Sequence, residues 1–284
     1  MSLSITPADA SLGATIENIN LTTLNCKEWT EIEQAFLEYA VLVFRNQHLN
    51  PDEQTAFAKR FGDFELLTPN KSLKTIHLSN INSDGSIRNP EDHHVQVLRG
   101  NEGWHTDSSY MPLSSKAAIL SAQQIPTNGG ETEWADMRAA YDALDKETKK
   151  LIHNLSAYHS LFYSQSKIGH KAEEGASYGF HNGKPPLRPL VKKHPVTGKN
   201  SLYIGRHAYD IPGFSKSDSE ELLKNLVDFA CQAPRIYQLK WEIGDLAVWD
   251  NRCVLHRALP YDYSEPRVML ATRIAGDPET ELVT

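Results

Sequence analysis

The stretch Trp104-His105-Thr106-Asp107 decides how the rest of the chain is read. If it is extended, side chains two residues apart share a face. The His105 imidazole and the Asp107 carboxylate then converge on one point off that face. They are a nitrogen and an oxygen ligand for a divalent cation. A third ligand from elsewhere would complete the two-His-one-carboxylate set of non-heme Fe(II) oxygenases, which leaves coordination positions open. The tripeptide His-x-Asp also occurs by chance, so the reading rests on what the other segments bring to it.

The chain holds 12 histidines, and the strongest third ligand is His256, in WDNRCVLHRALPYD (249–262). It follows the apolar run LAVW and precedes the last strand by a short loop, a position at a sheet mouth. Two antiparallel strands of one barrel can bring such distant ligands together. The plainer alternative is a structural histidine bonded to backbone. Arg267 opens the run RVMLATRIAG (267–276). Period two puts Arg267, Met269, Ala271 and Arg273 on one face. Inward arginines are costly unless an anion pairs with them, and the guanidinium fork suits carboxylates. The alternative is an edge strand whose arginines face water. Thr132, in GGETEW, offers a hydroxyl on a strand after a Gly-Gly turn, although Thr is a common strand former anyway. Asn80 reads as a pocket amide or a strand-end polar residue. Tyr110, Trp104, Trp134 and Trp249 read as core or pocket walls. His93 and His94 are adjacent and would diverge on a loop, which favours a polar lid over a second metal site.

Around these residues the chain reads as many short strands with a few helices. Cys26 to Tyr39 carries Trp29, Ile32, Phe36 and Leu37 at helical spacing. Residues 40–46 (AVLVFRN) form a short buried strand. Asn50-Pro51-Asp52-Glu53 starts a helix that stops at Gly62. Thr75–Asn82 and Lys116–Ser121 read as strands. Asp136 caps a helix that runs to about Leu155, broken near Asp145. Residues 187–207 read as a hairpin around VTGKN. Ser217 to Gln232 is a helix capped from Ser217, Asp218 or Ser219, and 235–251 holds two strands around the Gly244-Asp245 turn. Residues 66–104 and 158–186 lack sustained periodicity and read as two long lid loops. There is no regular strand–helix alternation of the kind a parallel sheet needs. The expected fold is mainly β with peripheral α: a double-stranded β-helix, or jelly roll, with outer helices, in one domain over 1–284.

With 40% hydrophobic and 23% charged residues, the 284-residue chain is ordinary globular material that can enclose a buried pocket. A net charge of −7 argues against bulk binding of nucleic acid or anionic membrane. A small anionic substrate would need local Arg, Lys or His. Three unpatterned cysteines, Cys26, Cys231 and Cys253, suit a reducing compartment. No signal peptide and no membrane span are read. The expectation is a soluble cytoplasmic protein, with a homo-oligomer left open.

WHTDSSY, PTNGGETEWADMRAAYDAL, GDLAVWDNRCVLHR and Arg267 together resemble the taurine dioxygenase/2,4-dichlorophenoxyacetate dioxygenase (TauD/TfdA) family. The resemblance runs from LGATIENINL to the last strand. HSLFYSQSKIGH, YIGRHAYDIPG and DFACQAPR are similar to the branch acting on (S)-2-phenoxypropionates. The resemblance implies Fe(II), 2-oxoglutarate and O2 as cofactor and co-substrates, with His105, Asp107 and His256 as iron ligands. It implies that Arg267 holds the distal carboxylate of 2-oxoglutarate, with Thr132 adding a hydrogen bond. Taurine-type members carry a second arginine where this chain has Ala271, so the substrate anion falls to Arg273, Arg206 or His207, with Asn80 and Tyr110 nearby. The implied reaction hydroxylates an aryloxyalkanoate next to its ether oxygen and releases a phenol and a 2-oxo acid, with succinate and CO2. Alternatives are the same chemistry on an alkylsulfonate, an alkyl sulfate or an amino-acid-derived carboxylate, or a non-catalytic jelly-roll metal- or ligand-binding protein.

Overall fold

Helix starts are written into this sequence as capping boxes. In the computed structural model of the protein, which describes residues 3–67 and 73–283, Asn25 opens α1 (Cys26–Tyr39) and Asn50 opens α2 (Pro51–Ala58). Each Asn side chain accepts from two backbone N–H groups, and Glu28 or Glu53 accepts from the cap's own N–H. These contacts satisfy donors that a helix start leaves orphaned. Both helices lie on the outer face of a large sheet. Ile32, Phe36, Phe57 and Phe61 pack there against Phe44, Ile119, Val248 and Ile274.

That sheet has eight strands. β1 (Ser4–Pro7), β2 (Ala14–Glu17), β3 (Val41–Phe44), β14 (Leu246–Asp250), β6 (Ser115–Gln124), β16 (Val268–Ala275) and β4 (Phe64–Glu65) follow in that order. β5 (Thr75–Ser79) also pairs along β16. The pairs are antiparallel except β2 with β3. Facing it is a smaller antiparallel sheet, β13 (Ile236–Leu239), β7 (Thr132–Asp136) and β15 (Val254–Ala258). Trp134, Leu239 and Val254 from the small sheet meet Leu120, Trp249, Met269 and Ala271 from the large one. This is the expected jelly roll, with its core between the two sheets. The period-two reading of β16 holds: Met269 and Ala271 face the inter-sheet core, while Ile274 faces the helices.

The outer face of the small sheet is covered by α4 (Met137–Ala143) and α7 (Lys216–Ala230), which bury Met137, Ala140, Leu223 and Leu226 against Ala135 and Leu255. The break near Asp145 is real: Leu144 is extended, and Asp145 caps α5 (Lys146–Ile152). The cap of α7 is Ser215 rather than the residues from 217 to 219. A third sheet joins β8 (Ser156–His159), β9 (Leu187–Pro189) and β12 (Ala208–Tyr209), and β10 (Val191–Lys193) pairs with β11 (Asn200–Leu202) as a hairpin. A short α8 (Pro278–Glu281) ends the described chain.

Two expectations change. Besides the expected strand β5, the region 66–104 contains α3 (His93–Gly100), an eight-residue helix that buries Val95 and Leu98. Its two apolar anchors are too few to stand out as a period. Part of this region, 68–72, lies outside the described residues. The region 158–186 likewise contains α6 (Leu161–Ser166), capped by Ser160. No helix of the described residues is long and apolar enough to cross a membrane.

Candidate active site

His105 is not in a strand of its own. It makes one isolated antiparallel bridge, to His256 of β15. Its N–H donates to the His256 carbonyl at 3.0 Å, and its carbonyl accepts from the His256 N–H at 2.9 Å. Residues that exchange both bonds project their side chains on the same face. The two imidazoles therefore lie side by side, ring centroids 4.1 Å apart. The chain then turns sharply: Asp107 opens a turn, and Ser108 takes φ 54, in the left-handed region. Asn251 fixes that turn. Its Oδ1 accepts from the Asp107 N–H at 3.0 Å and its Nδ2 donates to the Asp107 carbonyl at 2.8 Å. Asp107 Oδ2 ends 3.5 Å from His256 Nε2.

One ligand atom from each of His105, Asp107 and His256 lies within 4.8 Å of the others, and all three residues are buried. His105 Nδ1 is 2.8 Å from the Gly103 carbonyl, so it carries the proton and leaves the Nε2 lone pair free. Burial, and next the neighbouring His256, push His105 well below the usual histidine range. Burial lowers His256 to about 4, with Asp107 opposing. Both imidazoles are thus neutral at neutral pH, the form that binds a metal. Two neutral nitrogens and a carboxylate make a donor set that fits a divalent transition metal.

Two cavities meet at this cluster. The inner one runs between the sheets and is lined by Thr132, Trp249, Arg267 and Ala271 as well as His105, Asp107 and His256. Arg267 is buried there with no carboxylate within ion-pair distance among the described residues. Its Nη2 donates to the Gly130 carbonyl at 3.0 Å, while its Nε has no partner. Burial lowers its affinity for its proton. Gly130, at φ 72, permits the approach, because a Cβ there would stand 3.0 Å from Arg267 Nε. Thr132 Oγ1 accepts from Trp241 Nε1 at 3.0 Å, which leaves its hydroxyl hydrogen to donate elsewhere. A buried guanidinium with no carboxylate partner, beside a hydroxyl that can donate, is chemically suited to hold an anion.

The outer cavity measures about 300 Å³ and shares His105, Asp107 and Arg273 with the inner one. Its walls include Tyr110, His207, Tyr178, His94, Val97 and Leu161. Tyr110 stands edge-on to His207 at 4.9 Å, and His207 Nδ1 is 2.8 Å from Ser164 Oγ.

Three residues expected at the substrate have polar groups already engaged by the protein. Asn80 has its amide committed: Nδ2 donates to the Tyr263 and Glu265 carbonyls, and Oδ1 accepts from the Arg267 N–H at 2.7 Å. It fixes the start of β16 and lines neither cavity. Arg206 donates to the carbonyl of Gly100 and, at 2.8 Å, to that of Ser164. It ties α3 to α6 and also lies off both cavities. Arg273 lines both, but its Nη2 is 2.5 Å from Asp107 Oδ1. Sequence reasoning also missed Asn251, Trp241 and Glu65. Asn251 stands inside a quoted block, and only the fold shows that its amide reaches Asp107.

A second buried set, His194, Asp250 and Cys253, also brings its ligand atoms within 4.8 Å. His194 Nδ1 accepts from the Val196 and Thr197 N–H groups at 3.2 and 3.1 Å, so its Nε2 donates to Asp250 at 3.0 Å. Arg252 grips both oxygens of the same carboxylate at 2.8 and 2.6 Å. Its donor capacity is used internally, and it is a structural network.

Residues 4–273 match the family described as taurine catabolism dioxygenase TauD, TfdA family. An (S)-phenoxypropionate/alpha-ketoglutarate-dioxygenase of Sphingobium herbicidovorans is 50% identical over 283 residues, spanning 98% of this chain and 96% of that protein. An alpha-ketoglutarate-dependent 2,4-dichlorophenoxyacetate dioxygenase of Cupriavidus pinatubonensis is 36% identical over 277 residues, 94% of this chain and 96% of that one. The crystal structure of AAD-2 in complex with Mn(II) and N-oxalylglycine superposes with a TM-score of 0.90 at 37% identity, covering 100% of this chain and 99% of that one.

Proposed function

The chain belongs to the TauD/TfdA dioxygenase family, and from that premise we propose that it hydroxylates an anionic aryloxyalkanoate of the phenoxyacetate or phenoxypropionate type next to the ether oxygen. It is an Fe(II)- and 2-oxoglutarate-dependent dioxygenase. The observation that carries the site assignment is the meeting of two cavities at His105 and Asp107, one of them ending on the unpaired Arg267. His105, Asp107 and His256 hold the metal. Arg267 and the Thr132 hydroxyl hold the distal carboxylate of 2-oxoglutarate in the inner cavity.

When bound, Fe(II) with 2-oxoglutarate and O2 supplies the oxidation, yielding succinate, CO2 and a hydroxyl on the substrate carbon. The residues of the chain orient and enclose. Val97 and Leu161 give the outer cavity an apolar side for an aryl ring. His207 and Tyr110 give it a polar side for the carboxylate, and burial holds His207 well below the usual histidine range. Trp249, its ring 4.8 Å from that of His256 and tilted 52° to it, keeps water from the inner face of the cluster. Hydroxylation at the ether carbon gives a hemiketal or hemiacetal. Its C–O bond breaks, the aryloxide leaves as a phenol, and the carbon becomes the carbonyl of a 2-oxo acid.

The test is phenol release from each enantiomer of 2-phenoxypropionate and from phenoxyacetate, with Fe(II), ascorbate and 2-oxoglutarate. The expected result is phenol in step with succinate. Succinate without phenol from all three would refute the aryloxy reading. An alkyl sulfate, an alkylsulfonate and an amino-acid-derived carboxylate serve as the competing substrates.

A further inference from the structure

Arg273 is the one arginine that lines both cavities, yet its guanidinium is already engaged. Nη2 donates to Asp107 Oδ1 at 2.5 Å, and Nη1 donates to Ser108 Oγ at 3.3 Å. Ser108 Oγ in turn donates to Glu65 Oε2 at 2.9 Å, and the Tyr178 hydroxyl donates to Glu65 Oε1. Glu65 stands directly across from Arg273 in the β4–β16 register. The chain runs unbroken from Asp107 to Tyr178, and the two carboxylates flank one guanidinium. Asp107 is therefore held from two sides. Asn251 fixes its backbone, and Arg273 takes one oxygen, leaving the other toward His256.

We propose that Arg273 is a positioning residue for Asp107, anchored through Ser108 and Glu65, and is not the receptor of the substrate anion. This rests on the reading of His105, Asp107 and His256 as the metal ligands. A group that orients a ligating carboxylate sets how well the metal is held. Glu65 faces Arg273 and offsets its charge, so the guanidinium can sit next to a cation site without opposing it. Tyr178 completes the hold on Glu65 from the segment between α6 and β9, which also walls the outer cavity.

Mn(II) affinity, read from the electron paramagnetic resonance signal of the free aqueous ion, tests this apart from turnover. Arg273→Lys keeps the charge but cannot reach Asp107 and Ser108 together. It is expected to weaken Mn(II) binding about tenfold. Glu65→Gln is expected to do the same, and Ser108→Ala to weaken it by a few-fold. In Arg273→Lys, substrate-independent 2-oxoglutarate turnover falls with the affinity, while the KM for 2-phenoxypropionate changes by less than about threefold. Parental Mn(II) affinity in Arg273→Lys, with that KM raised tenfold or more, would overturn the proposal and make Arg273 the anion receptor. If Arg273→Lys does not fold by circular dichroism, Glu65→Gln decides, and unchanged Mn(II) affinity there overturns it equally. Parental-strength binding in His105→Ala would instead mark failure of the ligand assignment itself.

Discussion

Two buried clusters in this protein use nearly the same residue types and come to opposite ends. His105, Asp107 and His256 lie where two cavities meet, and His194, in the loop of the β10–β11 hairpin, meets Asp250 and Cys253. In the second, both imidazole nitrogens are bonded and Arg252 holds both carboxylate oxygens. In the first, the carbonyl of Gly103 occupies one nitrogen of His105, and the other faces the cavity. Composition and spacing do not separate a site from a strut. The difference is whether lone pairs are left over after the protein's own donors have been counted.

The comparison breaks most visibly at His105. His105→Ala is expected to abolish 2-oxoglutarate turnover and to weaken Mn(II) binding by about a thousandfold or more, beyond the 10–100-fold that loss of a supporting group costs. Thermal stability should change little, since the alanine leaves the backbone bridge to His256 in place. Retained turnover would refute the assignment. Asp250→Ala should invert the pattern. It leaves the Arg252 guanidinium and the His194 imidazole buried without their acceptor, at about 3–5 kcal/mol of stability. The folded protein should bind Mn(II) within about twofold of the parent. Burial opposes ionisation of Asp250, but Arg252 and His194 together hold it well below the usual carboxylate range. A depressed carboxylate stabilises the fold above its unfolded pKa, about 4, and that stability is lost as pH falls toward the folded value. Urea titrations of Asp250→Asn across that acid range should show a shallower loss than the parent; an equal slope would remove Asp250 from the acid limb.

The same distinction explains what could be read from the sequence. The jelly roll was legible because each sheet buries one face, and β16 alternates Met269 and Ala271 against Leu270 and Ile274. The helix break at Asp145 was legible because its cap is local. His105, Asp107, His256 and Arg267 were legible as chemistry, since buried lone pairs and cations demand partners. The bracing contacts of Arg206 and Asn80 were not legible, because their partners, the carbonyls of Gly100, Ser164, Tyr263 and Glu265, are distant in sequence and are not marked by residue type. Glu65 was invisible for a related reason. A lone acid on a two-residue strand carries no signal until β4 is laid beside Arg273.

The inner cavity sharpens the comparison further, because there the open valence is a buried cation in place of free lone pairs. Arg267→Gln removes a buried cation that has no protein carboxylate to balance it. It should raise the KM for 2-oxoglutarate about thirtyfold or more, equivalent to about 2 kcal/mol, while Mn(II) affinity holds within a few-fold. A KM within about threefold of the parent would place the distal carboxylate elsewhere.

The smallest expected effect, at Thr132, separates the two kinds of hydrogen bond most cleanly. Its oxygen accepts from Trp241 Nε1 at 3.0 Å, and its hydrogen is left for the cavity. Thr132→Val removes both at nearly constant shape. The lost donor should raise the 2-oxoglutarate KM about fivefold, close to the 1 kcal/mol of a typical hydrogen bond. The lost acceptor leaves the Trp241 N–H buried and unpaired, which should cost about 1–3 kcal/mol of stability. Adding Trp241→His would not isolate the second effect, because histidine brings new donors; Trp241→Phe removes only the N–H and part of the ring. In the Thr132→Val, Trp241→Phe pair, the stability loss should therefore be smaller than the sum of the two single losses, while the KM stays raised. A KM that returns to the parental value in the pair would mean that Thr132 acts on the cavity only by positioning Trp241, and that its hydroxyl makes no contact with the co-substrate.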